Sequence, residues 1–255
     1  MNINVYTTPG ELNEDDLRGC TAVVIDVLRT SSTIITALAN GAREIIPAGT
    51  PAEVGELVSK AGRSGTLMGG ERDGRQIEGF DLGNSPFEYV REEVAGKTIF
   101  FSSTNGTPAL LRVKSAGHVV VSGFNNQTAT LDYLTNRGAE AAILCSGRSG
   151  KFSLEDFICA GSLALGLTKR LGKMHQLNDA AMAAADLYRR NMNLIVDVMR
   201  RSIHGKKLIE IGYEKDLSYR AQIDSHEIVP LYTEGKIRGF SSDGSPLKEA
   251  ANTAE

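Results

Sequence analysis

The chain has 255 residues, of which 41% are hydrophobic, and its formal net charge is −3. This balance excludes the broad basic field that attracts nucleic acid or an anionic membrane surface. Three cysteines, an odd and sparse number, argue against a disulfide framework and predict a cytoplasmic protein.

No leader or membrane anchor is indicated. The first residues, MNINVYTTPGELNEDD, contain neither the basic segment nor the apolar segment of a signal peptide. No apolar run approaches the length that is needed to span a bilayer. The sequence therefore predicts no membrane partner.

Short apolar runs that are typical of buried strands alternate with helical patterns along the first part of the chain. Several of these helical patterns end at a glycine, which is favoured just after a helix. The alternation predicts an α/β protein with a mostly parallel sheet. The predicted strands are 3–6, 22–26, 44–47, 66–69, 98–101, 118–121 and 141–145, and the predicted helices are 31–40, 52–61, 107–114 and 127–136.

The last third of the chain is different. Residues 153–170 and 178–202 are rich in alanine and leucine and predict two long helices. These helices either cover the sheet or form the interface of a homodimer, and the sequence leaves both alternatives open. Because no linker or low-complexity tract interrupts the chain, we expect a single domain over 1–255, with a flexible tail at 241–255.

Three predicted strands end in a loop of small and hydroxyl residues that leads into a helix. The loops are VVIDVLRTSST (23–33), IFFSSTNGT (99–107) and ILCSGRSGKFS (143–153). Open α/β sheets bind ligands beyond the carboxyl ends of their strands, and helix N-termini favour anions. We therefore expect the three loops to converge on a pocket for an anion, although ordinary N-capping by serine and threonine would also explain each loop.

Charged residues in these loops suggest a catalytic or binding site. Asp26 ends an apolar strand, where a carboxylate is costly unless it is paired or binds a metal. The nucleophile motif of haloacid-dehalogenase phosphatases, D-x-D-x-[TV], fails here because Leu28 occupies the place of the second aspartate. Arg29 and Arg148 follow strand ends, where a guanidinium can bind a pair of phosphate or sulfonate oxygens.

The segment GGERDGRQIEGFDLGNSP, residues 69–86, is expected to be a long, irregular and ordered loop. Long loops inside compact domains are often functional. Glu71 and Arg72 directly follow the predicted strand and are therefore expected to lie closest to the pocket.

The stretch CSGRSGKFSLED resembles a P-loop but departs from it. Cys145 replaces the first glycine and Phe152 replaces the Ser/Thr that would bind Mg²⁺. Glu155 and Asp156 open the next helix, where the helix dipole alone favours acids; the alternative is that one of them binds a divalent cation. No two histidines have the spacing of a zinc site, so any metal is expected to be Mg²⁺ on carboxylates.

Taken together, these motifs resemble the 2-phosphosulfolactate phosphatase family. The resemblance runs from about residue 3 to about residue 235, and the set is specific because several motifs occur in order. They are AVVIDVLRTSSTIITALANGA, LMGGERDGRQIEGFDLGNSP, SSTNGTPAL, LCSGRSGKFSLED and EKDLSYRAQIDSHEIVP.

The resemblance implies a Mg²⁺-dependent phosphatase that converts (R)-2-phospho-3-sulfolactate to 3-sulfolactate and phosphate, on the route to coenzyme M. It also implies a three-layer α/β/α fold with a mixed sheet, unlike that of haloacid-dehalogenase phosphatases. The substrate would be a small anion carrying phosphate, sulfonate and carboxylate.

We assign roles on this basis. The catalytic residues are predicted to be Asp26, Glu71, Arg29 and Arg148. The predicted metal ligands are Asp26, Glu71, Glu155 and Asp156, and the predicted substrate-binding residues are Ser31, Ser32, Arg72, Ser103, Thr104, Asn105, Gly106, Ser146 and Gly147. Two alternatives remain open: a phosphatase for another small phosphorylated hydroxy acid, and a non-catalytic anion-binding protein. Direct attack by water and a phosphoenzyme are also both open.

Overall fold

The structure, a computed structural model, describes residues 1–247. Its strands are β1 (Asn2–Tyr6), β2 (Cys20–Ile25), β3 (Glu44–Pro47), β4 (Thr66–Arg72), β5 (Arg75–Gln76), β6 (Thr98–Ser102), β7 (His118–Ser122), β8 (Glu140–Cys145), β9 (Gln176–Leu177), β10 (Val229–Thr233) and β11 (Lys236–Phe240). Its α-helices are α1 (Thr30–Ala39), α2 (Pro51–Ala61), α3 (Arg91–Val94), α4 (Gly106–Arg112), α5 (Gln127–Arg137), α6 (Leu154–Leu171), α7 (Asp179–Asn191), α8 (Ile195–Arg201), α9 (Ile203–Glu210) and α10 (Glu214–Arg220).

The strands form one mixed sheet in the order β5-β4-β6-β3-β11-β10-β7-β2-β8-β1-β9. One parallel set is β4, β6 and β3, and the other is β7, β2, β8, β1 and β9. The C-terminal hairpin, β10 and β11, lies between the sets and pairs antiparallel with both neighbours. Three successive antiparallel pairings reverse the direction, so the two parallel sets run in opposite senses.

The sheet curls around α1 and α4. Side chains on one face of β2, such as Val24, and side chains of β6, such as Phe101, belong to one buried cluster that contains both helices. The opposite face of β2, represented by Ile25, packs on α5, α6 and α7. The opposite face of β6, represented by Phe100, packs on α2. Helices therefore cover both surfaces of the sheet in three layers.

This architecture confirms the predicted α/β class with a mixed, mostly parallel sheet and three layers. All seven predicted strands are present, and β3 has the predicted bounds, 44–47. Residues 241–247 of the expected tail make a hydrogen-bonded turn after β11, whereas 248–255 lie outside the described residues. Within 1–247, none of the helices has both the length and the apolarity for crossing a membrane.

Two local predictions were wrong, and one hairpin was not predicted. The pattern over 178–202 is broken into α7 and α8 between Asn191 and Ile195. At the end of α7, the Asn191 side chain donates to the Leu187 carbonyl at 2.8 Å and accepts a bond from Arg201 at 3.0 Å. Residues 69–86 are not one irregular loop, since β4 continues to Arg72 and turns directly into β5. The hairpin of β10 and β11 was not predicted.

Candidate active site

A pocket of about 80 Å³ lies where the three predicted loops meet the β4–β5 hairpin and α9. Each predicted loop supplies part of the lining, and α9 supplies three further residues. The lining residues are Asp26, Leu28, Arg29, Thr30, Glu71, Asp73, Gly74, Asn84, Thr104, Asn105, Arg148, Ser149, His204, Lys207 and Leu208.

Asp26 is held in the pocket by a tight turn after β2. Its backbone N–H donates to Ser31 Oγ at 2.8 Å, and the Ser31 N–H donates back to the Asp26 carbonyl at 2.9 Å. The carboxyl is only 4% exposed. Burial raises the pKa of Asp26, and Glu71 raises it further, while His204 and Thr30 act in the opposite direction. A carboxyl in this setting gains from a cation in the pocket.

Glu71 faces Asp26 from the other parallel set. Its Oε2 accepts the Gly74 N–H at 2.7 Å and its Oε1 accepts the Thr104 N–H at 2.7 Å. Asp73 and Gly74 have φ angles of 52° and 83°, as a two-residue hairpin turn requires. Glu71 therefore ties the hairpin to the loop after β6, and each of its oxygens keeps a lone pair for a further ligand.

Asp156 lies behind the pocket. Its Oδ1 accepts the Val27 N–H at 2.8 Å, and its Oδ2 accepts Ser146 Oγ and the Gly147 N–H, both at 3.1 Å. Burial raises its pKa well above the usual range, and Asp26 raises it further. Asp156 thus joins the loops after β2 and β8 and does not line the pocket.

Glu155 reaches the pocket only through His204. Its Oε1 is buried, accepts no hydrogen bond from residues 1–247, and lies 3.4 Å from His204 Nδ1. Burial acts to raise the pKa of Glu155, but the His204 imidazole, together with the Ser202 side chain and the backbone, outweighs burial and the pKa is lowered.

The predicted arginines have three different environments. Arg29 lines the pocket and is fixed by protein acceptors, following a cis peptide bond after Leu28. Arg148 also lines it, and its guanidinium makes no hydrogen bond or ion pair with any residue of 1–247. Arg72 points away and bonds the Glu71 carbonyl at 2.7 Å and Ser102 Oγ at 2.8 Å.

Most of the predicted hydroxyl and glycine residues lie in the loops behind the lining rather than in it. Ser103 Oγ accepts bonds from the Thr107 N–H and from Thr30 Oγ1, both at 3.0 Å. Thr104 and Asn105 do line the pocket, and Thr104 Oγ1 is buried with no hydrogen-bond partner in the described chain. The predicted residues that stay outside the lining are Ser31, Ser32, Ser103, Gly106, Ser146 and Gly147.

Sequence reasoning missed the contribution of α9. His204 and Lys207 lie one turn apart on this helix and bring two nitrogen groups to the pocket. Their spacing is a weak signal, since it does not match the histidine spacing of a zinc site. It also missed Asp73 and Asn84 in the lining.

Two buried carboxylates, Asp26 and Glu71, line the pocket and could hold a metal, whereas Asp73 in the same lining is exposed. Within residues 1–247, no group of three or more His, Cys, Asp or Glu side chains is arranged as a metal site. A zinc centre with three or four protein ligands does not fit this donor set. Mg²⁺ fits it, because Mg²⁺ is commonly held by one or two carboxylates together with water and substrate phosphate.

Comparison with known proteins matches most of this chain to a single family. Residues 6–235 match the family described as 2-phosphosulpholactate phosphatase. A relative from Caldanaerobacter subterraneus subsp. tengcongensis is 40% identical over 238 residues, covering 93% of this chain and 98% of the relative. Relatives from Thermotoga petrophila (41% identical; 84% and 90% covered) and Gloeobacter violaceus (39%; 93% and 98%) are similar. All three carry the name probable 2-phosphosulfolactate phosphatase.

Proposed function

The chain belongs to the 2-phosphosulpholactate phosphatase family, a family of phosphoric monoester hydrolases, and we propose that it hydrolyses (R)-2-phospho-3-sulfolactate to 3-sulfolactate and phosphate with the help of Mg²⁺. The observation that carries the proposal is that two buried carboxylates, Asp26 and Glu71, line one pocket together with the cationic groups of Arg29, Arg148 and Lys207. The names of the relatives supply the substrate.

The cationic groups suit a substrate with three acidic groups. Arg148 has no acceptor within the described chain, so its donors are available for a phosphate or sulfonate oxygen pair. Lys207 and His204 add donors from α9, and Arg29 adds a charge from the loop after β2. Phosphate monoester hydrolysis is intrinsically very slow, so stabilising charge on the transferring phosphoryl group is the main task of such a site.

Asp26 and Glu71 would hold the Mg²⁺ ion. When bound there, Mg²⁺ would neutralise charge on the phosphoryl oxygens. We leave Asp156 out of the ligand set because it does not line the pocket and its Oδ2 already accepts two bonds from the loop after β8. We also leave out Glu155, because it contacts the pocket through His204.

The protein's own groups would bind and orient the substrate. The backbone bonds of Glu71 and the turn around Asp26 keep both carboxylates facing the same space. Arg148 and the free Thr104 hydroxyl would hold oxygens of the substrate. We further propose a cytoplasmic location, since the three cysteines are all buried and free.

The test is phosphate release from 2-phospho-3-sulfolactate, phospholactate and phosphoglycolate, each with Mg²⁺ and with EDTA. We expect fast, Mg²⁺-dependent release that favours the sulfonated substrate. Equal rates on all three would retain a phosphatase for small hydroxy acids but discard the sulfonate assignment. Release that survives EDTA would remove Mg²⁺ from the proposal.

Asp26→Asn tests the central residue. Replacing the carboxylate with an amide removes a metal ligand while keeping its shape, so we expect turnover to fall by about 10³-fold or more. The matched control is Asp132→Asn, at a half-exposed residue that pairs with Arg170 outside the pocket. Circular dichroism should show both variants folded. Near-normal turnover by folded Asp26→Asn would contradict the assignment.

A further inference from the structure

Arg220 is a completely buried arginine next to the pocket, and nothing in the proposed chemistry uses it. Its Nη1 donates to the carbonyls of Val27 (3.4 Å) and Arg29, and its Nη2 donates to Thr33 Oγ1 (3.1 Å) and the Asn84 carbonyl (2.9 Å). Burial lowers its pKa to about 9. All of its acceptors belong to the two segments that carry Arg29 and Asn84 of the lining.

Asp216 lies one helical turn earlier on α10 and is shared by two guanidinium groups. Its Oδ2 is 3.4 Å from Arg29 Nη1 and 3.8 Å from Arg220 Nη2, and its Oδ1 accepts Ser85 Oγ at 2.8 Å. Arg29 is held on its other sides by the Gly74 carbonyl at 2.5 Å and by the ring of Tyr213, 4.3 Å from its central carbon. Arg29 therefore has one fixed orientation.

Two guanidinium groups compete for one carboxylate in this cluster. Arg29 and Arg220, both buried, share the buried carboxylate of Asp216. Asp26 in the pocket also acts on Arg220, since it works to raise the pKa of that guanidinium. Because Asp216 is shared, Arg29 keeps part of its charge for an oxyanion in the pocket that it lines.

We propose that Asp216 and Arg220 are positioning residues: they hold Arg29 and the turn after Asp26 in the orientation that binds an oxyanion of the substrate. The inference rests on the proposed function, since the oxyanion is taken to be the phosphate or sulfonate group. It assigns a role in the site to α10, which does not itself line the pocket. Neither residue touches the substrate.

Asp216→Asn separates positioning from simple electrostatics. The change makes the pocket more positive, so a purely electrostatic role predicts tighter binding of inorganic phosphate. A positioning role predicts the opposite: weaker phosphate binding and a value of kcat/KM on 2-phospho-3-sulfolactate lower by about 10²-fold, because Arg29 loses its partner. The control is Asp224→Asn, at an exposed aspartate outside the pocket lining that accepts bonds from the Thr128 N–H and hydroxyl.

A double-mutant cycle with Arg29→Gln tests whether Asp216 acts through Arg29. If it does, Asp216→Asn should have little further effect on kcat/KM in the Arg29→Gln background. Arg220→Lys, which keeps the charge but loses the two-nitrogen fork, should also lower kcat/KM, compared with Arg112→Lys at a remote arginine that bonds the Leu12 carbonyl. Full additivity in the cycle would overturn the proposal.

Phosphate binding, measured by calorimetry, separates a failure of the proposed function from a failure of the positioning role. If the wild-type protein binds inorganic phosphate but does not hydrolyse the sulfonated substrate, the proposed function fails and the Asp216→Asn comparison still decides positioning. If Asp216→Asn binds phosphate as well as or better than the wild type, positioning is overturned whatever the substrate. Wild-type protein that neither binds phosphate nor releases it overturns both.

Discussion

Glu71 shows how one side chain can assemble a site from distant parts of the chain. It accepts one backbone amide from its own hairpin, at Gly74, and one from the loop after β6, at Thr104. Both bonds lie in a region that is largely shielded from water, where an unpaired amide is costly. The same carboxylate faces Asp26, so its structural role and its proposed metal-binding role would coincide in one residue.

Glu71→Gln should therefore affect both stability and activity. The amide group of glutamine places a donor against one of the two backbone N–H groups, which leaves that N–H unpaired at a cost of about 1–3 kcal/mol. We also expect the Mg²⁺ concentration for half-maximal activity to rise, because the ligand loses its charge. Urea unfolding and Mg²⁺ titration of the activity measure the two effects.

Glu53→Gln is the control for Glu71→Gln. Glu53 accepts one backbone amide, that of Gly49 at 2.8 Å, but it is exposed and lies outside the pocket. We expect a small loss of stability and an unchanged Mg²⁺ requirement. If Glu71→Gln behaves no differently from this control, Glu71 is not a metal ligand.

At the residue scale, the site residues that could be predicted from the sequence are those that follow the ends of strands. Asp26 and Arg148 line the pocket because Asp26 directly follows β2 and Arg148 lies in the short loop that follows β8. Arg72 could not be placed in the same way: β4 extends past Glu71, and successive side chains of a strand point to opposite faces. His204 and Lys207 were not foreseeable, because the docking of α9 depends on tertiary packing rather than on any local pattern.

At the element scale, the contact between α1 and α4 depends on Gly106, the first residue of α4. A Cβ atom at this position would collide with Asp26 Oδ2 and would lie 2.5 Å from Thr30 Cβ. The close approach of the two helix starts is what brings the loops after β2 and β6 together. Small size is therefore required at Gly106 for the site to form.

Gly106→Ala should force α1 and α4 apart and displace the Asp26 carboxylate. We expect a loss of about 1–3 kcal/mol in the free energy of unfolding, as for other overpacked interiors, and at least about a 10-fold loss of activity. Gly55→Ala is the control, because Gly55 lies inside α2 and a Cβ there meets no atom within 4 Å. That variant should gain up to about 1 kcal/mol of helix stability. An active, equally stable Gly106→Ala protein would contradict the packing argument.

The elements that could be predicted are those with a clear pattern of apolar residues or with a glycine at their end. Apolar runs located the strands, and glycines located helix ends such as Gly138, which has a φ of 65°. The hairpin of β10 and β11 also has a signal in the sequence, the pair Glu234–Gly235. In the structure these two residues form the turn, with φ angles of 52° and 81°. Its place between β3 and β7 could not be inferred, because strand order depends on contacts far apart in the sequence.

At the scale of the whole molecule, the two parallel sets of strands run in opposite senses, and in a flat sheet their carboxyl ends would lie at opposite edges. The curl of the sheet around α1 and α4 brings them to one pocket, as the 3.0 Å bond between Thr30 Oγ1 and Ser103 Oγ shows. The expectation that three loops converge assumed one common edge. The C-terminal hairpin joins the two parallel sets at the centre of the sheet. The site therefore depends on β10 and β11.

Glu44 connects β3 to β11 at this junction and should make the stability of the closed sheet depend on pH. Burial acts to raise its pKa, but bonds from Arg238 (2.7 Å) and Lys236 (3.2 Å) outweigh burial, and the pKa is lowered. A carboxylate with a depressed folded-state pKa adds stability above its unfolded pKa, about 4.3, and that stability is lost as the pH falls through the folded pKa.

Because both partners are partly exposed, we expect Glu44→Gln to cost only about 1 kcal/mol at pH 7. Urea unfolding should show that this difference from the wild type is constant down to roughly pH 5.5 and shrinks below about 4.3. Glu92→Gln, at an exposed position, should show no such dependence, and a cost for Glu44→Gln that persists at low pH would show that the ion pairs do not stabilise the junction.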